Sequence, residues 1–126
     1  SNQDQNTAMT ITENWLTRYQ PGQIDGLVCQ DGDPALGIAD AIVAAGRNEL
    51  LGKIIAFDYP QGVVDYIKDG KLYGSVIQDP YKQGILGAET IKKYFDEGDA
   101  NIKDNTYMEL PIVSTKNAAD YPKAAW

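Results

Sequence analysis

Three polar side chains stand at or just beyond the ends of short apolar runs in this sequence, namely Asp31, Asp58 and Gln78. A carboxylate accepts several hydrogen bonds and an amide both donates and accepts them, so these groups suit the recognition of hydroxyl groups on a small molecule. Open α/β sheets bind such molecules at the carboxyl ends of their strands. The positions therefore predict a ligand-binding edge, and the neighbouring Gln30 and Tyr59 are predicted to line the same cleft.

Each of these residues also has a purely structural interpretation. In the segment QDGDP, Asp33 is suited to capping the next helix and Asp31 to the turn before it. Asp58 is likewise suited to capping the helix that Pro60 opens, and Gln78 to a hinge without ligand contact. The two nearby aspartates of QDGDP are also typical of calcium loops, but the other ligands of such a loop are missing, so no metal site is predicted.

The spacing of apolar residues predicts alternating strands and helices. Helices are expected over residues 4–19, 34–45, 60–69 and 80–97, and strands over residues 24–29, 51–57, 73–77 and 107–113. Strand 24–29 is expected in the middle of a sheet covered on both faces. The last helix is expected to bury Tyr81, Ile85, Ala88, Ile91 and Phe95. This alternation predicts a three-layer α/β/α fold with a mainly parallel sheet.

Length and charge limit the classes of function. At 126 residues the chain fits one domain that can bury a core. With 18 acidic residues, 11 basic residues and no histidine, its net charge of −7 argues against nucleic acid binding, which needs a basic face. No apolar run is long enough to span a membrane, and the first residues lack the basic and apolar regions of a signal peptide. The single Cys29 cannot form an internal disulfide.

Enzymatic function is not predicted. The sequence contains no histidine to act as a base, no GxSxG elbow, no GxGxxG after a strand and no Walker loop. A carboxylate-based hydrolase that uses Asp31 and Asp58 is the remaining enzymatic alternative, because glycoside hydrolysis requires two carboxylates around the scissile bond. No cofactor is predicted.

Four segments carry a resemblance to a known family: LVCQDGDPALGIADAI, KIIAFDY, VVDYIKDGKLYGSVIQDPYKQG and LPIVSTKNAADY. From about Ala8 to Tyr121 the chain resembles the C-terminal part of a type I periplasmic sugar-binding protein, the solute receptor of an ABC transporter. The resemblance implies that Asp31 contacts the sugar, as do Asp58 of the family's GFD motif, here AFD, and Gln78 of its V-x-Q-x-P motif.

The resemblance also implies an architecture and a setting. The chain would be a single domain that forms the C-terminal part of a two-lobe solute-binding protein, with residues 80–106 packed on the first lobe. The parent protein would bind a sugar or polyol outside the cytoplasm, in the periplasm or lipid-anchored at the cell surface, and would deliver it to an ABC permease. The effector-binding half of a LacI-type transcription regulator is the main alternative, but such regulators usually carry L-T-T-V before the Q-P pair, where this chain has LYGSVIQDP.

The isolated chain is expected to behave differently from such a parent protein. Because it would supply only one wall of the cleft, weak or absent sugar binding is expected. The apolar side of the last helix would lack the sheet that it covers in the family. Either the helix folds back onto the sheet of its own chain, or two chains pair or exchange this helix about the segment at Pro80, and self-association is the outcome expected.

Overall fold

The computed structural model describes residues 4–58, 60–103 and 105–121 of the chain. Its α-helices and strands occur in the order α1 Gln5–Arg18, β1 Leu27–Val28, α2 Gly32–Ala44, β2 Ile54–Phe57, α3 Gln61–Lys68, β3 Gly74–Val76, α4 Pro80–Glu97 and β4 Ile112–Ser114. Two short 3₁₀ helices occupy Asn48–Leu50 and Asp99–Asn101. Each predicted helix and strand has a counterpart, although the strands are shorter than the apolar runs. The last strand is also displaced: residues 107–111 are not part of a strand, and β4 ends one residue beyond the predicted range.

The strands form one four-stranded sheet in the order β1-β2-β3-β4. Strands β1 and β3 both run parallel to β2, and β4 pairs antiparallel with β3. The predicted α/β class and mainly parallel sheet are confirmed. The interior position expected for residues 24–29 is wrong: among the described residues, only β2 pairs with β1, so β1 is an edge strand.

One face of the sheet packs against the helices to form the core. Leu27, Ile54 and Ala56 on this face are buried, and they belong to the same apolar cluster as Ile38 and Ile42 of α2. Burying a large aliphatic side chain contributes roughly 1.5–3 kcal/mol, so this cluster accounts for much of the stabilisation that fixes the strands beneath α2.

The opposite face is more open. Val28 and Ile55 are paired across β1 and β2, and both are exposed, as is Ile112 on β4. Parallel sheets are normally covered on both faces. Within the described residues, apolar side chains on this second face therefore remain in contact with solvent.

Helix α1 is held to the rest of the chain by a close approach and by an arginine. A Cβ added to Gly37 of α2 would lie 2.1 Å from the carbonyl oxygen of Gln5, so only glycine allows the two helices to come this near. Arg47 donates from Nη1 to the carbonyl oxygens of Leu16, at 3.3 Å, and Tyr19, at 2.9 Å. These bonds satisfy acceptors at the end of α1 that have no partner inside the helix.

The chain divides into two compact units. One contains the described residues up to Ile77 together with those from Ile112 onward, and the other comprises Gln78–Pro111. The boundaries between the units therefore follow Ile77 and Pro111.

Helix α4 dominates the second unit. It begins after Asp79, whose carboxylate accepts a hydrogen bond from the Lys82 N–H at 3.0 Å, and it ends at Gly98. The expectation that α4 buries its apolar side chains is wrong, because all five of them are exposed: Tyr81, Ile85, Ala88, Ile91 and Phe95. The described part of this unit contains no strand, so the helix has no sheet of its own to cover.

No helix in the described ranges combines the length and the apolar character needed to cross a bilayer.

Candidate functional site

Asp31 lies at the carboxyl end of β1, where it caps α2. Its Oδ1 accepts a hydrogen bond from the Gly32 N–H at 2.7 Å, and its backbone is extended. The sequence-based assignment of the cap to Asp33 is therefore wrong, because α2 begins two residues earlier than predicted and Asp33 lies in its first turn. A negative charge at either position is favourable next to the positive end of the helix dipole.

The turn that carries Asp31 packs directly on the turn that follows β2. A Cβ added to Gly32 would lie 2.7 Å from Cδ and 3.0 Å from Cγ of Pro60, so glycine is required for this contact. Since β1 and β2 are parallel neighbours and Asp58 follows β2 directly, the two aspartates share one edge of the sheet. The structure thus brings together two of the three predicted site residues.

Asp58 has a backbone conformation that is unusual for a residue other than glycine, with φ of 60°. Its N–H donates to the carbonyl oxygen of Val76 at 2.8 Å, and its own carbonyl oxygen accepts a hydrogen bond from the Ser75 hydroxyl. Aspartate tolerates the left-handed region better than most residues, but the conformation still costs energy that the surrounding structure must supply. Strand β3 thus fixes the orientation in which Asp58 leaves the sheet.

Ser75 is a contributor that sequence reasoning missed. It is fully buried in the middle of β3, yet its hydroxyl is satisfied by the Asp58 carbonyl. A serine flanked by apolar residues in a predicted strand was the available signal, since a buried hydroxyl must find a partner.

Gln78 is the first residue of the second unit, whereas Asp31 and Asp58 belong to the first. Its carbonyl oxygen accepts a hydrogen bond from the Nε2 group of Gln83 at 2.7 Å, which secures the entry to α4. Tyr59, the remaining predicted cleft residue, lies outside the described residues.

Gln30 and Asp31 line a cavity of about 440 Å³ beside β1. The other side of this cavity is apolar and includes Ile11 and Trp15 of α1 together with Val28. Trp15 is 46% exposed. The side chain of Gln30 is therefore next to a largely apolar groove along the strand edge.

A polar cluster away from this edge joins three helices. The Tyr66 hydroxyl of α3 donates to Oδ1 of Asp40 at 2.7 Å, and Gln5 of α1 donates to Oδ2 of the same carboxylate at 3.2 Å. The hydrogen bond to Asp40, together with partial burial, raises the pKa of Tyr66 to about 12. We interpret the cluster as structural because each of its polar groups already has a protein partner.

In the part of the chain that the structure describes, no three His, Cys, Asp or Glu side chains are arranged to hold a metal ion.

Comparison with known proteins agrees with this architecture. A family model described as a periplasmic binding protein domain matches residues 1–99. The ribose import binding protein of Haemophilus influenzae is 31% identical over 111 residues, which are 88% of this chain and 36% of that protein. The xylitol-binding protein of Mycolicibacterium smegmatis is 26% identical over 120 residues, or 93% of this chain and 32% of that protein. The chain thus spans about a third of the length of these curated relatives.

A solved structure gives the same result for the fold. A periplasmic solute-binding protein of an ABC transporter from Actinobacillus succinogenes, crystallised with bound D-allose, superposes with a TM-score of 0.76 at 25% sequence identity. The match covers 95% of this chain and 40% of that one.

Proposed function

This chain belongs to the family of periplasmic binding protein domains, and we propose from that premise that its Asp31–Asp58 edge forms one wall of a sugar- or polyol-binding cleft. The observation that carries the proposal is that these two aspartates lie at the same edge of the sheet, after the carboxyl ends of neighbouring parallel strands. Small ligands bind α/β sheets at this edge. Ionised carboxylates there can accept hydrogen bonds from adjacent hydroxyl groups.

The names of the relatives indicate the class of ligand. One relative is an import binding protein for ribose, another binds xylitol, and the similar crystal structure contains D-allose. Pentoses, hexoses and polyols share closely spaced hydroxyl groups, and each suits a site built from carboxylates and amides. These names also favour a transport receptor over the effector-binding half of a transcription regulator.

We infer that the mechanism is binding without covalent chemistry. Asp31 and Asp58 accept hydrogen bonds from ligand hydroxyls, Gln78 both donates and accepts, and Gln30 and Tyr59 line the cleft. The strained backbone of Asp58 is consistent with a ligand contact, since such conformations cluster at functional sites. In a two-lobe protein, closure of the lobes around the sugar would complete the set of contacts.

The proposal extends to the remainder of such a receptor. Residues 80–106 would pack on the other lobe, the closed receptor would be recognised by an ABC permease, and the whole would work outside the cytoplasm, in the periplasm or anchored at the cell surface. The exposed apolar side of α4 supports a role for this segment in contacts beyond its own unit. Without another lobe, the same surface would promote self-association or a domain swap.

A chimera provides the test. This chain replaces the matching part of the Haemophilus influenzae ribose import binding protein, and calorimetry measures the binding of D-ribose, D-fructose, D-allose, xylitol and myo-inositol. We expect saturable binding of at least one of these compounds and weak or absent binding by the isolated chain. A chimera that unfolds cooperatively but binds none of them would contradict the proposal, as would hydrolysis of nitrophenyl glycosides.

Asp31 requires its own control because it also caps α2. Replacing it with alanine is expected to lower both stability, by about 1 kcal/mol, and affinity. Asp31→Ser retains an oxygen that can cap the helix, so it should restore most of the stability and little of the affinity. If Asp31→Ser binds as tightly as the unmodified chimera, Asp31 is a helix cap and not a ligand contact.

A further inference from the structure

Gly32 connects the two turns that carry Asp31 and Asp58. Its N–H donates to Oδ1 of Asp31 at 2.7 Å, and a Cβ added to it would lie 2.7 Å from Cδ and 3.0 Å from Cγ of Pro60. The backbone of Gly32 is not in the left-handed region, so its conformation does not require glycine. The missing side chain is needed for the close approach of the two turns.

The atoms around this contact leave little room for adjustment. The same added Cβ would lie 3.2 Å from Cγ2 of Val63, which is a fully buried core residue. The proline ring is rigid, so it cannot turn aside as the end of a flexible side chain can. A larger residue at position 32 would therefore push the Pro60 turn away from the turn of Asp31.

A displacement of Pro60 would reach Asp58 over a short path. Only one residue separates them in the sequence, and hydrogen bonds with Val76 and Ser75 of β3 hold the backbone of Asp58 on the other side. The bonds between Asp58 and Pro60 must therefore absorb the displacement. Since Asp58 is already in the small left-handed region, its carboxylate would shift relative to that of Asp31.

We propose that Gly32 is a specificity-determining residue of this edge, because it sets the separation of the Asp31 and Asp58 carboxylates and thereby the size of the ligand that contacts both. With glycine the two turns are in direct contact, which suits five-carbon sugars and polyols. A bulkier residue widens this wall of the cleft and favours larger sugars. The inference rests on the proposed function, but the contact between Gly32 and Pro60 is measurable without any ligand.

A double-mutant cycle in the isolated chain measures the contact. Gly32→Ala is expected to lower the free energy of unfolding in urea because the added Cβ overpacks the contact. Pro60→Ala removes both ring atoms, so in its background Gly32→Ala should destabilise the chain by roughly half as much or less. Additive effects of the two substitutions would overturn the proposal.

Gly62→Ala is the matched control for the cycle. It adds a methyl group between the same two helices, with the Cβ 2.9 Å from Cδ1 of Leu36. The leucine side chain can change rotamer to make room, so no turn has to move. The effect of Gly62→Ala on stability should therefore be the same with proline or alanine at position 60.

Affinities in the chimera with the ribose import binding protein test the consequence for the ligand. Calorimetry with the same panel of compounds should show that Gly32→Ala weakens five-carbon compounds most. We expect a loss of roughly tenfold or more for D-ribose and of roughly threefold or less for D-allose, whose pyranose ring carries an additional hydroxymethyl group. Gly62→Ala should leave both affinities within roughly twofold of the unmodified chimera.

The outcomes separate this inference from the proposed function. A chimera that binds no compound contradicts the proposed function and removes the inference with it. Unchanged affinities in Gly32→Ala, or losses that do not fall with ligand size, contradict only the role of Gly32. If circular dichroism shows that Gly32→Ala does not fold, Pro60→Ala decides, because it releases the same contact from the other side and should weaken D-ribose at least roughly threefold. Pro60→Ala with unchanged affinity would then overturn the proposal.

Discussion

Asp58 combines a left-handed backbone conformation with a carboxylate side chain, directly after the end of β2. The strain is tolerated because two hydrogen bonds hold the backbone of Asp58 in place. Its N–H donates to the carbonyl oxygen of Val76, and its carbonyl oxygen accepts from the Ser75 hydroxyl. These bonds fix the backbone from which the Asp58 carboxylate extends. Preorganisation of this kind lowers the entropy cost of binding, since less freedom remains to be lost.

A substitution at Asp58 measures its contribution to affinity. In the sugar-binding chimera, Asp58→Ala is expected to weaken binding by about 1.5–3 kcal/mol, the cost of losing a charged hydrogen bond. Asp58→Asn should bind more tightly than Asp58→Ala because asparagine tolerates the left-handed backbone and retains an acceptor. Calorimetry gives the values, with Asp25→Ala as the matched control at the opposite end of β1. Equal losses in Asp25→Ala and Asp58→Ala would contradict a ligand role for Asp58.

Tyr66 gives the stability of the chain a defined dependence on pH. Its pKa is raised to about 12 from an ordinary value of 10.0, so the folded state retains a proton that the unfolded state loses. The stabilisation is complete below about pH 10 and is lost as the pH rises toward 12. Tyr66→Phe is expected to be less stable by about 1 kcal/mol below pH 10, with the gap closing between pH 10 and 12.

Urea unfolding at a series of pH values tests this expectation. Asp40→Asn removes the carboxylate that raises the pKa of Tyr66, so in that background the gap should close at a lower pH. A gap between the unmodified chain and Tyr66→Phe that stays constant up to pH 12 would show that Asp40 does not hold the tyrosine proton.

At the scale of elements, the close contact of α1 with α2 requires that residue 37 has no Cβ atom. Gly37→Ala would place a Cβ 2.1 Å from the Gln5 carbonyl oxygen, so the helices must separate. Overpacking of this kind typically costs 1–3 kcal/mol, about the range expected here. Gly87→Ala in α4 is the matched control: no atom lies within 4 Å of its added Cβ, and alanine favours a helix by roughly 0.5–1 kcal/mol. Equal destabilisation by the two substitutions in thermal unfolding would contradict this account.

The sequence predicted the elements that are governed by local patterns. Apolar periodicity identified the four α-helices of the described residues, and alternating helices and strands identified the mainly parallel sheet. The strand ends also located the edge that Asp31 and Asp58 share, because the carboxyl ends of parallel strands lie on one side of the sheet.

Properties that depend on neighbours distant in sequence were not predictable in the same way. The run 24–29 is as apolar as an interior strand, yet β1 lies at the edge, since no local pattern specifies which strands are present to pair with it. Likewise, the spacing of apolar residues in α4 predicts a face that is suited to burial. It does not predict whether another element covers that face, and in the structure the face is exposed. The left-handed backbone of Asp58 and its support by Ser75 also come from tertiary structure.

Two of the apolar surfaces that the described residues expose bear on how the whole molecule associates. The first is the groove along β1, where flanking aspartates oppose pairing with a second copy. The second is the side of α4, where Tyr81 is 75% and Phe95 79% exposed. Large exposed apolar patches mark sites of interaction or aggregation. The two surfaces should therefore differ in whether they bring copies of the chain together.

We expect the isolated chain to self-associate through α4. Covering a large apolar side chain contributes roughly 1.5–3 kcal/mol, and α4 presents Ile85, Ile91 and Tyr94 in addition to the two residues above. Pairing of two copies about a two-fold axis, or exchange of this helix about the segment at Pro80, would cover the exposed apolar side of α4 in both copies.

Sedimentation velocity at several concentrations should show a mass that rises toward a dimer. The double variant Ile85→Glu with Phe95→Glu is expected to remain monomeric because pairing would bury its added charges. Val28→Asp, which adds a charge at the other surface, should associate like the unmodified chain. A monomer that persists at high concentration in the unmodified chain would contradict this expectation, and association abolished by Val28→Asp alone would transfer the contact to the sheet edge.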